Sequence, residues 1–226
     1  MPRTVAIIPA RGGSKGIPRK NLRPFCGRPL ISYSIVEALK ASMVDEVYVS
    51  TEDDEISSVA KDFGAKVIER PEEFATDTAS TFSVLRHAAE TLAFPEVIVT
   101  LQPTSPLRKS RHIDEAIALL AEGIETVISV CATHLYMWEY SKGLGEPLFE
   151  SRRRRQDMEK QYFENGSIYV SCKDIFIRND SRRGMGISSI GAVKLYEMDR
   201  IYAIDLDTEL DFRILEELYK AKQEDR

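Results

Sequence analysis

The chain is poor in the residues that most often announce a site. Among 226 residues there are three histidines, one tryptophan and three cysteines. Cys26, Cys131 and Cys172 stand far apart and form no CxxC pair. That argues against a disulfide framework or a zinc site and fits a reducing, cytoplasmic setting. No apolar run approaches the roughly 18 residues of a membrane span. The stretch "VAII" near the start is too short for a secretory signal and reads as a core strand. Basic excess is lacking as well: 31 Lys and Arg against 36 Asp and Glu give a formal charge of −5. Without a broad basic face, neither a nucleic-acid nor a membrane partner is expected.

What is present is a core and a rhythm. Hydrophobic residues make up 43% of the chain, ordinary for a globular protein of this length. "VAIIPA", "EVYVST", "AKVIE", "EVIVTLQ" and "ETVISVC" read as strands, and between them run helical periods such as "PLISYSIVEALKAS" and "STFSVLRHAAETLA", the latter capped by Ser80. This alternation predicts an α/β fold with three layers, a mostly parallel sheet covered by helices on both faces. Ligands of such sheets bind outside the carboxyl ends of the strands. The loop 10–21, "TE" at 51–52, "QPTSP" at 102–106 and the segment after Val130 all fall on that edge. Residues 131–165 break the rhythm and hold the only Trp; a stretch this long inside one domain spanning 1–226 reads as a functional or interaction arm. Regularity returns with "GSIYVSC", "GAVKLYEM", "IYAI" and a last helix from about Thr208.

Two constellations carry chemistry. The loop "ARGGSKGIPRKN" concentrates Arg11, Lys15, Arg19 and Lys20 around Gly12 and Gly13 in an otherwise acidic chain. It is neither a Walker A loop nor a dinucleotide fingerprint, since Gly16 is followed by Ile-Pro. An irregular phosphate cradle remains, with glycines admitting close backbone approach and cations neutralising a polyphosphate. The competing reading is a solvated basic loop. The second constellation, "IDLDTELDF" at 204–212, sets Asp205 and Asp207 two residues apart at the expected end of a strand. Such a pair suits Mg²⁺ shared with substrate phosphates. Asp211 instead completes a capping box with Thr208. A phosphatase-type D-x-D-T nucleophile is disfavoured, because only 19 residues follow Asp207. His87 and His112 fall in expected helices, where a surface or packing role is expected; His134 lies in the irregular segment.

Taken together, "IIPARGGSKGIPRKN", "RPEEFATDTAS", "LQPTSPLR", "RRQD…NGSIY" and "IDLDTELDF" resemble the acylneuraminate cytidylyltransferases, the CMP-sialic acid synthetases, from about residue 4 to the last helix. The Gly-Gly-Ser-Lys-Gly run separates the chain from the related synthetase for the eight-carbon sugar Kdo. The resemblance implies transfer of CMP from CTP to the anomeric hydroxyl of a nine-carbon 2-keto sugar acid, with release of diphosphate. It implies that Arg11, Gly12, Gly13, Ser14, Lys15 and Lys20 hold the triphosphate, with Asn21 nearby on the nucleotide. Arg70, Ala79 and Thr81 match positions lining the cytosine and ribose. Gln102 and Tyr169 match acceptor-side residues, and Asp205 and Asp207 the magnesium carboxylates. Arg155 and Gln156 match an arm that reaches the site of a partner subunit in a homodimer.

The sequence departs from some relatives in two places. Phe163 stands where an arginine precedes the "NG", and "ATHLYMWEY" offers no lysine. Both positions bear on the sugar's carboxylate or N-acyl group, so legionaminic acid stands beside sialic acid as the acceptor. A sugar-phosphate nucleotidyltransferase and an inactive nucleotide-binding relative are the alternatives from other classes. The "SRRRRQD" run also has a plain reading as solvated charge.

Overall fold

The run "TVAIIP" forms strand β1 (Thr4–Pro9), and both of its faces are buried. Ala6 and Ile8 pack into one core and Val5 and Ile7 into a second on the other side of the sheet. A strand sandwiched in this way needs a continuous apolar run rather than alternation, which is why "VAII" carries no polar break. The computed structural model describes residues 2–14, 16–178 and 192–224.

After β1 come the short pair β2 (Pro24–Phe25) and β3 (Arg28–Pro29), then α1 (Leu30–Lys40), β4 (Glu46–Thr51), α2 (Asp54–Asp62) and β5 (Lys66–Glu69). Next are α3 (Thr81–Thr91), β6 (Val97–Leu101), α4 (Ser110–Ala118) and β7 (Thr126–Thr133). The hairpin β8 (Trp138–Ser141) and β9 (Leu144–Pro147) follows, then β10 (Gln161–Cys172), α5 (Asp174–Ile177), β11 (Val193–Met198) and α6 (Glu209–Glu224). The main sheet has seven strands in the order β11-β7-β10-β6-β1-β4-β5. All its pairings are parallel except those of β10, which runs antiparallel to β6 and β7. Local signals set the helix ends. The Asp53 side chain accepts from the Ile56 amide at α2, Ser80 accepts from Ser83 at α3, and Gly64 takes φ +91 just past α2.

Two expectations need correction. The irregular arm is partly regular: β7 extends to Thr133, Lys142 and Gly143 turn the β8–β9 hairpin at φ 52 and 84, and β10 begins at Gln161 rather than near Gly166. Its strands escaped the pattern because β8, β9 and the first four residues of β10 are exposed on both faces, so no period marks them. "IYAI" overlaps a 3-10 turn, Arg200–Ala203, and Asp205 and Asp207 follow it on an irregular segment outside the sheet.

Of the surface and packing roles expected for His112, it takes packing. Its ring is buried edge-on against Tyr202 at 4.6 Å, and Nδ1 accepts from the Lys109 amide. Burial, reinforced by Arg111 and opposed by Glu115, pushes its pKa down to about 4. The unfolded chain takes up this proton near 6.5, while the folded one refuses it until about 4. Stability is therefore lost as pH falls through that window. The thermal midpoint should drop between pH 6.5 and 4, and His112→Gln should flatten the slope. An equally steep profile in the variant would exonerate the buried ring.

Candidate active site

A cavity of about 420 Å³ opens at the carboxyl edge of the sheet. Arg11, Gly13, Ser14, Lys20 and Asn21 reach it from the loop after β1. Arg70 comes from just past β5, Ala79 and Thr81 from the start of α3, Gln102 from the end of β6, and Asp207 from the segment before α6. Five stretches far apart in sequence thus meet because parallel strands end together.

The loop is held in shape by specific contacts. Asn21 Nδ2 donates to the Arg11 carbonyl at 3.0 Å, and Ser14 Oγ donates to the Ile17 carbonyl. Lys20 Nζ donates to the Leu206 carbonyl at 2.6 Å and to Asp207 at 3.2 Å, stapling the loop to the carboxylate segment. Glycine is required where the two approach: a Cβ on Gly16 would sit 2.3 Å from the Asp207 carbonyl oxygen. Gly12 has a different reason from the expected one. Its Cα packs on Asp53, and its amide donates to Glu52 Oε1 at 2.7 Å rather than opening into the cavity.

Every described cation of the loop has an acidic partner. Arg11 pairs with Asp77 at 2.7 Å, Lys20 with Asp207, and Arg19 with Asp53 and Glu55. Arg70 is buried, its Nη2 donating to the Ser50 carbonyl and Nη1 lying 3.9 Å from Glu52. Burial lowers its pKa, with Glu52 opposing and Arg11 reinforcing. A polyanion entering the cavity would therefore find positive charge held in place by carboxylates it can displace.

The remaining expected residues are placed differently. Tyr169, on β10 opposite Thr100, is half-buried, and its hydroxyl donates to Glu164 at 3.0 Å. Burial raises its pKa, and Glu164 and the nearby Asp205 raise it further. Asp205 is exposed and accepts from the Leu206 amide. Neither Tyr169, Asp205 nor Gln156 lines the cavity itself. Arg155 and Gln156 sit on a 3-10 turn, Arg155–Asp157, in the arm. Lys15 lies outside the described residues. Asp211 forms the expected box: its Oδ2 accepts from the Thr208 amide and hydroxyl at 2.8 and 2.7 Å, and its own amide donates back to Thr208 Oγ1. Sequence reasoning set Glu52 on this edge without giving it a role, and it missed Asp77 and Phe74. Glu52 directly follows β4 on the expected edge, and the acid in "ATDTAS" faces the cationic loop, so strand order held a signal for both.

The cytidylyltransferase family model matches residues 5–225. The chain belongs to that family. N-acylneuraminate cytidylyltransferase A of Danio rerio is 36% identical over 220 residues, covering 94% of this chain and 50% of the relative. N-acylneuraminate cytidylyltransferase of Escherichia coli is 34% identical over 218 residues, covering 93% and 50%. The chain thus spans about half the length of the curated relatives it matches. Among solved structures, the synthetase of CMP-2-keto-3-deoxy-manno-octonic acid complexed with CTP aligns at TM-score 0.78 over 97% of this chain and 99% of that one, at 19% identity. That likeness establishes a cytidylyltransferase fold.

Proposed function

We propose that the chain transfers CMP from CTP to the anomeric hydroxyl of a nine-carbon 2-keto sugar acid, sialic acid or a relative such as legionaminic acid. The observation that carries this reading is the cavity where Arg11, Lys20, Asn21, Arg70, Gln102 and Asp207 meet, in a chain related to N-acylneuraminate cytidylyltransferases. Attack forms a bond between the sugar oxygen and the α-phosphorus and breaks the bond to the β-phosphate oxygen. Diphosphate leaves with the electron pair, and the proton of the sugar hydroxyl passes to solvent. No protein nucleophile is needed; positioning and charge stabilisation carry the rate. Arg11, Lys15 and Lys20 hold the leaving charge, and Gly13 and Ser14 flank it, while Gly12 keeps the loop in shape through its amide bond to Glu52. Arg70, Ala79 and Thr81 border the nucleoside, while Gln102 and Tyr169 serve the acceptor.

Mg²⁺ is the proposed cofactor, and the donors fit it. Asp205 and Asp207 are exposed hard-oxygen ligands two residues apart. Among the described residues no cluster of three or more His, Cys, Asp or Glu is placed to hold an ion, so substrate phosphates and water would complete the shell. Such an ion supplies charge neutralisation at the α-phosphate. No helix among the described residues is long and apolar enough to cross a membrane, which is consistent with the cytoplasmic placement proposed here.

We assign the arm at 131–165 to a homodimer contact. Tyr136 and Trp138 each pack on Phe149, leaving Met137, Tyr140, Leu144 and Leu148 exposed. Apolar surface of this kind suits a second copy of the chain, with Arg155 and Gln156 delivered to its site. Arg155→Ala and Lys15→Ala, each inactive alone, should partly rescue one another in mixed dimers, since one site of such a dimer is complete. A fully active monomer by light scattering, or no rescue in confirmed mixed dimers, removes Arg155 from the site.

Diphosphate release with CTP tests the whole reading, using separate panels of keto-acid sugars and sugar phosphates. Turnover confined to the sugar acids supports it. Turnover with sugar phosphates instead, or none at all, selects one of the alternative classes.

A further inference from the structure

The largest fully buried side chain among the described residues is an arginine. Arg108, 1% exposed, lies behind the "QPTSP" segment, and its hydrogen-bond partners are neutral. Nη1 donates to the Ser167 carbonyl at 2.7 Å and to the Gln102 carbonyl at 3.2 Å, and Nη2 donates to Ser34 Oγ at 2.6 Å. Nε has no partner. Burial pulls the guanidinium pKa down, with Glu37 the opposing charge. A cation desolvated without an ion pair costs free energy that a packed apolar side chain would not. Stability alone is therefore a poor reason for an arginine here.

Its partners supply a better one. Ser34 belongs to α1, Gln102 ends β6, and Ser167 lies in the register shift of β10 between Glu164 and Tyr169. That shift is itself built from buried polar groups. Asn165 Oδ1 accepts from Ser129 Oγ and from the Ser167 amide, and Ser129 Oγ accepts from the Ile168 amide. Gly166 takes φ +66 there, beside the Gln102 side chain. The Ser167 carbonyl also accepts from the Gln102 amide at 3.4 Å. One guanidinium thus fastens the backbone that carries Gln102 to the bulge that leads into Tyr169.

We propose that Arg108 is a positioning residue: its forked guanidinium clamps the Gln102 backbone against the β10 bulge and α1, and so fixes where the acceptor-side groups stand relative to the nucleotide loop. The acceptor role rests on the functional reading above; the clamp does not.

Two variants test it. Arg108→Lys keeps the charge but cannot fork to three acceptors. Ser34→Ala removes the Nη2 partner, together with a hydroxyl that itself donates to the Gln102 carbonyl at 3.4 Å, and leaves a small, buried, compatible side chain. Amide hydrogen exchange reads the clamp without any substrate. In Arg108→Lys, peptides spanning 102–108 and 164–169 should exchange at least about tenfold faster, with 10–21 unchanged. In kinetics, kcat/KM for the sugar acid should fall at least about tenfold while KM for CTP stays within about twofold. Ser34→Ala should shift both readouts the same way by less, and it decides the matter if Arg108→Lys does not fold. Unchanged exchange at 102–108 and 164–169 overturns the clamp. Faster exchange with KM for CTP raised as much as kcat/KM for the sugar acid falls overturns the positioning role. Should the wild type turn over no sugar acid, the functional reading is what fails, and exchange still decides the clamp.

Discussion

Asp207→Ala and Asp205→Ala should each leave folded protein with no measurable Mg²⁺-dependent diphosphate release, while Asp211→Ala keeps its turnover. The three carboxylates lie within seven residues, yet their surroundings differ. Asp207 lines the cavity with its side chain 70% exposed, paired with Lys20. Asp205 stands close enough to Tyr169 to raise the phenol's pKa. Both have oxygens left for a metal ion. Asp211 is committed to the helix start instead: its Oδ2 accepts from the Thr208 amide and hydroxyl, and these bonds hold its carboxyl below the usual range. Loss of such a cap costs about 1 kcal/mol of stability. Because the folded pKa is depressed, that contribution is present at neutral pH and fades as pH falls through the lowered value. Diphosphate release titrated with Mg²⁺, alongside denaturant unfolding, separates the roles. A dead Asp211→Ala beside an active Asp205→Ala would reverse them.

The layers of the fold were legible because their signals are local or periodic. β1 and β6 are buried on both faces and advertise this as apolar runs, and Ser80 and Gly64 mark helix ends with their own side-chain or backbone chemistry. The antiparallel course of β10 left no such mark. Its "GSIYVSC" half looks like any buried strand, and direction depends on the connection through the arm. The exposed hairpin β8–β9 was hidden for the opposite reason, since with no buried face there is no period to read.

The candidate site divides along the same line. Arg11, Lys20, Gln102 and Asp207 were found because strand order alone predicts that loops after parallel strands share one edge, and motif resemblance singled out the residues on them. What the sequence could not convey is which groups already occupy one another. Arg11 with Asp77, the Gly12 amide with Glu52 and Lys20 with Asp207 are contacts across 40 to 187 positions. Arg108 was hidden more deeply. An arginine in "SPLRKS" reads as surface charge, and only the β10 bulge explains why it is inside.

Lys15→Ala should cut turnover at least about a hundredfold with the thermal midpoint unchanged, whereas Lys20→Ala should lower both. A single preorganised donor at the developing charge is worth roughly 2.7–4 kcal/mol in the transition state, which converts to that loss. Ser14 and Gly16, the neighbours of Lys15 in the chain, both line the cavity, and the Lys15 role tested here is the one proposed above. Lys20 has a second task. Its side chain is only 15% exposed and its ammonium holds the Leu206 carbonyl at 2.6 Å as well as Asp207, so its removal frees the segment carrying the two carboxylates proposed for the metal. A buried carbonyl that loses a charged donor costs about 1–3 kcal/mol, enough to move a thermal midpoint by several degrees. Diphosphate release and a melting curve on the two variants distinguish the assignments. Near wild-type turnover in folded Lys15→Ala would return the loop to solvated charge. An unchanged midpoint in Lys20→Ala would mean that the loop and the aspartate segment are held together by something other than this lysine.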